Sequence, residues 1–253
     1  MTQLTRKPSY LRRLVLTLVQ WFDSEASSDL SENLSPSELK RIDWLRCMPF
    51  LVVHLGCVGL IWVGWSPVAL LICLFAFWLR MFAVTAFYHR YFSHRSYKAN
   101  RAWQFVFALL GNTAAQRGPL WWAAHHRSHH KHTDQPADLH SPKVHGFMWS
   151  HLLWFMSRQG FSTDYTVIKD LAKYSELRFL NRFDSLMPVL FGIAIFALGE
   201  YLALAWPESG TSGAQMLVWG FFVSTTLLFH ATFTINSLGH TWGKRRFDTA
   251  DHS

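Results

Sequence analysis

Four long apolar blocks constrain this chain more than any other feature of its sequence. They cover residues 48–65, 66–88, 186–206 and 214–235. Each is about 18–23 residues long, and about 20 helical residues cross the hydrocarbon core of a bilayer. Only 16% of the chain is charged, against about a quarter in soluble domains. The sequence therefore predicts an all-α membrane protein with four transmembrane helices.

Basic residues are placed asymmetrically around these blocks. They concentrate in residues 1–47, in 89–185 and in the tail after His240, and the short connectors inside the two pairs of blocks hold none. The positive-inside rule then predicts two helical hairpins, with the termini and a helical cap formed by 89–185 in the cytoplasm. Arg80 lies inside the second block, and we expect it to snorkel to the interface rather than bind a lipid headgroup. No basic cluster is interleaved with a nucleic-acid-binding motif.

The N-terminal region predicts a helix that lies on the membrane surface. Its apolar residues recur at helical spacing on one face: Leu11, Leu14, Val15, Leu18, Val19 and Phe22. A secretory signal peptide is the alternative, but its apolar core would be short and is followed by Gln20. We divide the chain into residues 1–43, an interfacial helix with a flexible acidic link over 23–39, and a membrane domain over 44–253.

Histidines supply the second strong pattern. Eight of the fourteen lie between residues 89 and 140. The patterns are HxxxxH at 89–94, HxxHH at 126–130 and NSLGH at 236–240. The first and third follow the cytoplasmic ends of the second and fourth blocks, so the predicted topology brings all of them to one membrane face.

Helical geometry indicates how these histidines could be arranged around metal ions. On an α-helix His126 and His130 lie about 40° apart, and His129 lies about 60° to the other side of His126. His89 and His94 would be about 140° apart, which suits two different metals or a helix that ends between them. Imidazole binds iron, zinc, copper and nickel, whereas structural zinc more often involves cysteine. The set therefore favours two metals with open positions that activate oxygen or water.

The other histidines carry weaker signals. His125 and His132 adjoin the second pattern and are expected to be exposed or to support a ligand. His140 follows Asp138, and we expect this pair to orient a ligand through hydrogen bonds. Five histidines show no pattern and are interpreted as ordinary interior or surface residues: His54, His145, His151, His230 and His252.

The boxes HRYFSH, HHRSHH and NSLGH, with their flanks HRSYKANR, HKHTDQPADLHSP and HATFTINSLGH, carry a family resemblance. Over roughly residues 44–253 the chain resembles the integral-membrane fatty acid desaturases, and within them the delta-9, stearoyl-CoA desaturase-like group. The resemblance implies a di-iron centre that removes two hydrogens from an acyl chain, using O₂ and two electrons, to form a cis double bond.

The resemblance also implies residue roles. One iron would be held by His89, His126 and His130, with Asn236 holding its water. The other would be held by His94, His129 and His240. A bent acyl tunnel would be lined by Gln116, Trp122 and Thr232, although simple core packing is an alternative for Trp122.

The expected partners are a fatty acyl substrate on CoA or on a lipid, the bilayer, and a separate electron donor. The chain has no CxxC cluster and no recognisable flavin or haem domain, so a b-type cytochrome or a ferredoxin with its reductase is implied. Cys47, Cys57 and Cys73 are odd in number and lie in apolar surroundings, which indicates core or lipid-facing thiols. We favour a bacterial inner membrane over the endoplasmic reticulum.

Two other functions compete. Another membrane di-iron oxygenase, such as an alkane, sterol or carotenoid hydroxylase, shares the histidine logic, but the NSLGH motif and the HRSYK flank argue against it. A non-catalytic, metal-binding membrane protein is the second. A transporter is disfavoured because its ionisable residues would gather near the bilayer midplane.

One expected element does not occur in these 253 residues. The family pattern places a third box, HxxHH, after the fourth helix, whereas here only His252 follows His240. By the resemblance one iron would lack one ligand and the other two. We expect a fragment of a longer reading frame rather than a truncated, inactive protein. Reading the coding DNA past Ser253 tests this: a HxxHH segment in frame supports the expectation, and an immediate stop codon contradicts it.

Overall fold

The computed structural model describes residues 10–26 and 34–243. Within these ranges the regular structure is helical, apart from an isolated β-bridge between Ile42 and Ser157. The helices are α1 (Tyr10–Gln20), α2 (Pro36–Leu39), α3 (Met48–Val63), α4 (Pro67–Ser93), α5 (Arg101–Asn112), α6 (Pro119–His132), α7 (Pro142–His145), α8 (149–156), α9 (165–172), α10 (Ser175–Arg182), α11 (Leu186–Ala205) and α12 (Gly213–Thr241). Short 3₁₀ turns lie at Gln159–Phe161 and Pro207–Ser209.

Three of the predicted blocks form helices long and apolar enough to cross a bilayer, namely α4, α11 and α12. The first block forms α3, which is apolar but shorter. Its length corresponds to about 24 Å of helix, against a hydrocarbon core of about 30 Å. A fourth span and the two-hairpin topology therefore stay predictions.

The long helices begin where the sequence supplies a cap. Ser66 Oγ accepts a hydrogen bond from Ala69 N at 3.1 Å, and Pro67 occupies the first helical position of α4. Ser212 Oγ accepts in the same way from Gln215 N at 3.2 Å at the start of α12. Such residues satisfy N–H groups that have no partner inside the helix.

Two of these helices change winding along their length. The last eleven residues of α4, Ala83–Ser93, are π-helical, and so is Val218–Val223 in α12. π-Helical segments inside α-helices are rare and often occur at functional sites.

A buried cluster joins the end of α4 to the polar cap. Tyr88 and Phe92 pack with Leu120 of α6 and with Leu177 and Leu180 of α10, and all five are at most 1% exposed. This packing fixes the end of α4 against α6, the two elements that carry most of the histidines.

The predicted N-terminal helix is confirmed as α1, and its residues Leu11 and Val15 are exposed. Its position on a membrane surface stays a prediction. Part of the predicted link forms α2, where Ser35 and Glu38 make a reciprocal capping box. Residues 27–33 and 244–253 lie outside the described residues, and His252 with them.

The expectation that Arg80 snorkels to the interface is wrong. The residue is 1% exposed, and its guanidinium donates to Ser224 Oγ at 2.5 Å and to Thr225 Oγ1 at 2.7 Å. Both hydroxyls belong to α12, and the guanidinium also lies 4.7 Å from the Phe191 ring of α11. Arg80 thus joins α4, α11 and α12 because hydroxyl partners across the helix interface replace water.

Replacing Arg80 by Met tests this role. The variant keeps an unbranched apolar stem but leaves the buried hydroxyls of Ser224 and Thr225 without a donor, which costs about 1–3 kcal/mol for each unmet buried group. We expect a clearly lower unfolding temperature in detergent micelles. Arg178→Met, at an exposed position of α10, is the matched control, and equal unfolding temperatures for the two variants would contradict the account.

Candidate metal centre

Four histidine side chains meet where α4 ends beside α6. His94 Nε2 lies 3.0 Å from His89 Nε2 and 2.9 Å from His126 Nε2, and His126 Nε2 lies 3.0 Å from His130 Nε2. One ring nitrogen from each of the four falls within 4.8 Å of the other three. We refer to His89, His94, His126 and His130 as the four-histidine cluster.

The π-helical end of α4 explains how His89 and His94 come together. His94 N donates to His89 O at 3.1 Å, which is a bond between residues five apart. In a π-helix such residues lie nearly above one another, whereas an α-helix would separate them by about 140°. Of the two alternatives that the spacing left open, the structure has the helix that ends between these histidines, because α4 ends at Ser93.

Arg127, inside the second box, holds α6 against the end of α4. Its guanidinium donates to Phe92 O at 2.8 Å and Ser93 O at 3.0 Å, and it forms a paired contact with the Asp170 carboxylate at 2.7 and 3.0 Å. These bonds fix the backbone just before His94. This positioning role of Arg127 was not predicted from the sequence, because the residue lies inside a histidine motif and was interpreted only as part of it.

A second group surrounds His129. His129 Nδ1 donates to Asp138 Oδ2 at 2.9 Å, which leaves Nε2 available as a ligand atom. His140 stacks on His129 with ring centroids 4.2 Å apart, and the His240 ring centroid lies 5.0 Å away. Asp138, 1% exposed, also accepts from His140 N at 3.2 Å. Asp138 and His140 both contact His129, and the orienting role expected for them stays a prediction.

The resemblance implies two sets of three histidines, and the ring positions do not by themselves assign each histidine to a set. His94 lies with His89, His126 and His130. The His129 and His240 ring centroids lie 5.0 Å apart, and that of His129 lies 6.5 Å from the His126 ring. The ligand roles of these residues stay predictions, because ring positions alone do not assign a nitrogen to a metal.

The electrostatics within the cluster favour a neutral His126. Burial, together with the neighbouring His130, His89 and His94, lowers the pKa of His126 to about 2. Burial also lowers the pKa of His140 well below its usual range. Neutral imidazole is the form that binds a metal, so His126 is ready to act as a ligand at physiological pH.

The donor set fits iron. Imidazoles suit iron among the transition metals, and all four members of the cluster offer one. His240 adds a further indication, because its buried Nδ1 has no hydrogen-bond partner among the described residues. Two groups of donors, one around His126 and one around His129, are therefore able to hold metal ions.

An apolar cavity of about 370 Å³ ends at this centre. Each predicted tunnel residue lines it, as does Asn236. Trp122 lies over the His126 ring at 4.8 Å between centroids, and Gln116 Nε2 donates to Thr232 Oγ1 at 2.9 Å across the cavity. The volume falls in the range of about 300–1,000 Å³ usual for small-molecule sites.

The backbone turn beside the cavity is strained. Ala115 and Arg117 have φ values of 57° and 67°, a left-handed conformation that non-glycine residues seldom adopt and that costs of the order of 1 kcal/mol. Together they set the direction of Gln116 into the cavity.

Sequence reasoning also missed a chain of three histidines outside the centre. His54 Nε2 lies 3.2 Å from His230 Nε2, and His230 Nδ1 lies 3.2 Å from His151 Nε2. His151 Nδ1 lies 2.9 Å from Ser237 Oγ. These histidines lie in α3, α8 and α12, far apart in the sequence. No spacing pattern therefore predicts that they meet.

Among the remaining histidines, His125 lines the cavity and donates from Nε2 to Ser162 O at 3.0 Å. Burial lowers its pKa to about 4. His145 Nε2 lies 3.0 Å from Asp138 O, beside the His129 group. Cys47, Cys57 and Cys73 are free thiols, as expected.

Fold and site together define a helical protein with membrane-type helices and a histidine-rich candidate metal site at the end of an apolar cavity. Comparison with known proteins agrees. The sequence profile described as Fatty acid desaturase matches residues 64–253. The chain belongs to the fatty acid desaturase family, whose members act as oxidoreductases on fatty acyl chains.

Individual relatives are similar over most of the chain. The sn-2 palmitoyl-lipid 9-desaturase of Nostoc sp. (strain 36) is 33% identical over 218 residues, which is 83% of this chain and 71% of that protein. The Acyl-CoA 5-desaturase AL21 of Anemone leveillei is 31% identical over 245 residues, 89% and 72% of the two chains. The Delta-9 acyl-lipid desaturase 1 of Arabidopsis thaliana is 32% identical over 222 residues, 85% and 66%.

Asp138→Asn tests the orienting role of this carboxylate. Loss of the charged acceptor for His129 Nδ1 frees the ring to turn, and removal of such a supporting group weakens metal binding by about 10–100-fold. Anaerobic titration with Fe(II) against a competing chelator measures the change. Asp164→Asn, an exposed carboxylate bonded to Thr166, is the control, and equal affinities in the two variants would exclude the role.

Proposed function

We propose that the protein is an oxygen-dependent fatty acyl desaturase that places a cis double bond, at the delta-9 position, in a saturated acyl chain. The observation that carries this proposal is the four-histidine cluster at the end of an apolar cavity. A reactive metal centre and a slot for a hydrocarbon chain are the two parts that such a reaction requires. The names of the relatives, several of them delta-9 desaturases, support the regiochemistry.

Two iron ions would be held by His89, His126 and His130, with a water on Asn236, and by His94, His129 and His240. Asn236 lines the cavity within reach of this region. His94 lies within 3.0 Å of both His89 and His126. Which of the two ions His94 binds is therefore decided only when the metal ions bind.

The iron supplies the oxidising chemistry when bound, with O₂ as co-substrate. In the balanced reaction, one CH₂–CH₂ unit, one O₂, two electrons and two protons give one CH=CH unit and two waters. The chain's own residues hold the reacting methylenes. Trp122 and the apolar wall exclude water, and the Gln116–Thr232 hydrogen bond sets a fixed point at which the acyl chain must turn.

The electrons come from a separate protein. Cys47, Cys57 and Cys73 are free and spread over α3, α4 and the turn before α3, so they form no iron–sulfur ligand set. A b-type cytochrome, or a ferredoxin with its reductase, would dock on the polar cap. The basic residues of 89–185 support a cytoplasmic position for that cap and for the chain termini. We propose α3 as a fourth span and a bacterial inner membrane as the location.

Product analysis in a host that lacks its own desaturase tests the proposal. Fatty acid methyl esters analysed by gas chromatography and mass spectrometry should show a new delta-9 double bond. His126→Ala and His130→Ala should each abolish it, because an imidazole ligand is lost. His132→Ala, on the same helix but outside the cluster, is the control and should keep the activity.

Other outcomes point to the competing functions. An alcohol in place of a double bond would identify a hydroxylase. Iron bound at two per chain with no acyl product, in the presence of both donor systems, would identify a non-catalytic metal protein. Full activity of His126→Ala would contradict the ligand assignment.

A further inference from the structure

A row of buried aromatic rings leads away from the His129 group. The His140 ring stacks on His129 at 4.2 Å between centroids, and the Trp154 ring lies 4.8 Å from that of His140. Trp121 stacks on Trp154 in turn, at 5.7 Å and an interplanar angle of 14°. All four residues are at most 6% exposed. The rings come from α6, from α8 and from the loop that follows α6, so tertiary packing and not one helix forms the row.

The row continues to a tyrosine through one amide side chain. Asn181 Oδ1 accepts a hydrogen bond from Trp121 N at 2.7 Å, and Asn181 Nδ2 donates to Tyr165 Oη at 3.2 Å. Tyr165 Oη donates to the Glu25 carboxylate. Asn181 is 2% exposed, whereas Tyr165 and Glu25 are only partly buried. A continuous path of contacts thus runs from a predicted metal ligand to the surface of the protein.

The side chains on this path favour one direction of electron transfer. The electron-rich π-systems of tryptophan and tyrosine give up an electron more readily than other aromatic rings. They do not accept an added electron from a biological reductant. The path therefore suits an electron that moves inward to a strongly oxidising metal centre, and it does not suit the supply of electrons from a reducing partner protein.

The hydrogen-bond partners of the two indoles do not take up a proton. Trp154 Nε1 has no partner among the described residues, and Trp121 Nε1 donates to Gly160 O at 2.8 Å. A carbonyl oxygen accepts a hydrogen bond but is no base, so each indole would keep a positive charge after it lost an electron. The Arg117 guanidinium lies 5.7 Å from the Trp121 ring centroid and disfavours that charge. Oxidation therefore does not stop at either indole.

Tyr165 differs, because its hydrogen bond leads to a base. Burial and the hydrogen bond to Glu25 raise the pKa of Tyr165, so the phenol is neutral before it is oxidised. Loss of an electron turns a phenol into a strong acid, and the Glu25 carboxylate is placed to take the proton. The products are a neutral tyrosyl radical and a neutral carboxyl group, which leave no new charge in the interior.

A second series of ring contacts lacks this ending. Trp122 lies over His126 at 4.8 Å between centroids, and the Tyr88 ring lies 6.0 Å from that of Trp122. Tyr88 is 0% exposed, and its Oη donates to Arg117 O at 3.3 Å. With a carbonyl as its partner, Tyr88 would keep a buried positive charge on oxidation, which is costly. Tyr88 is therefore a matched comparison for Tyr165.

We refer to four of these side chains together as the relay: His140, Trp154, Trp121 and Tyr165. We propose that the relay discharges the metal centre when that centre has reacted with O₂ and no acyl chain is bound. Tyr165 gives one electron, through the other three rings, to the oxidised iron, and its phenolic proton goes to Glu25. An external one-electron reductant such as ascorbate then restores the phenol, which takes its proton back from Glu25.

The relay protects the histidines of the centre, because an oxidising equivalent that reaches the surface no longer attacks them. Active sites are built to prevent such side reactions, and an acyl chain in the cavity would normally consume the oxidant. The inference rests on the proposed function, in that it takes the centre as one that binds iron and reacts with O₂.

Freeze-quench electron paramagnetic resonance on the full chain tests the relay. Protein loaded with Fe(II) under anaerobic conditions is mixed with O₂-saturated buffer in the absence of acyl substrate. We expect the signal of a neutral tyrosyl radical, identified by its change when the protein is made with ring-deuterated tyrosine. Tyr165→Phe should lose the signal and Tyr88→Phe should keep it. A signal that survives Tyr165→Phe, or O₂ consumption without a radical, would overturn the proposal.

Trp154→Phe tests the middle of the relay, because phenylalanine keeps a ring in place but does not give up an electron. Most of the radical signal per bound iron should be lost. Trp103→Phe, at a position 57% exposed on α5, is the control and should give the wild-type signal. Equal radical yields per bound iron in these two variants would exclude Trp154 from the path and overturn the proposal.

Mass spectrometry of the same samples gives a second readout. Oxygen adducts on the peptide that carries His126 and His129 should increase in Tyr165→Phe and in Trp154→Phe, because the oxidising equivalent stays at the centre. The adducts should remain at the wild-type level in Trp103→Phe. Equal adduct levels in all the variants would contradict the protective role.

The radical requires iron and O₂ but no acyl chain, so this proposal and the proposed function fail separately. A radical on Tyr165 in a protein that forms no double bond would contradict the desaturase and leave the relay standing. A double bond in the product, without a radical when O₂ is added to the substrate-free protein, would do the reverse.

Discussion

The constraint on which this structure depends is the close packing of four imidazoles. Their ring nitrogens lie within 4.8 Å of one another, and positive charge on more than one ring of so close a group is unfavourable. Burial and mutual repulsion hold the pKa of His126 at about 2 for this reason. The rest of the cap fixes ring positions: Arg127 holds the end of α4, and Asp138 orients His129. The same arrangement suits a divalent metal. The nitrogen lone pairs repel one another at this distance, and the positive charge of a metal ion would attract all of them.

In the proposed function, the long apolar helices guide a hydrocarbon chain to this centre. The apolar cavity needs walls that exclude water. Helices α3, α11 and α12 supply these walls with apolar residues, which in a soluble protein would be exposed to water. Arg80, a charged residue buried among these helices, is paired with Ser224 and Thr225. A lipid environment makes this pairing necessary, since unmet polar groups cost several kcal/mol there.

Much of the site could be predicted from the sequence because it follows α-helical periodicity. His126 and His130 lie one turn apart on α6, as their spacing requires, and Gln116, Trp122 and Thr232 do line the cavity. What periodicity could not supply is the π-helical end of α4, which brings His94 to His89. The burial of Arg80 and the chain of His54, His151 and His230 depend on contacts between distant segments, which single-sequence patterns do not contain. Helix α3 ends at Val63 because Gly64 has a positive φ of 61°. The helix therefore stops before the end of the predicted block.

The central claim is that the four-histidine cluster binds iron, and X-ray absorption at the iron edge tests it most directly. Protein loaded with Fe(II) under anaerobic conditions should show a first shell of nitrogen and oxygen with the outer-shell scattering of several imidazoles per iron. Replacing His94 by Ala should reduce that imidazole signal. Iron that washes out on desalting, or a spectrum without imidazole scattering, would contradict the account.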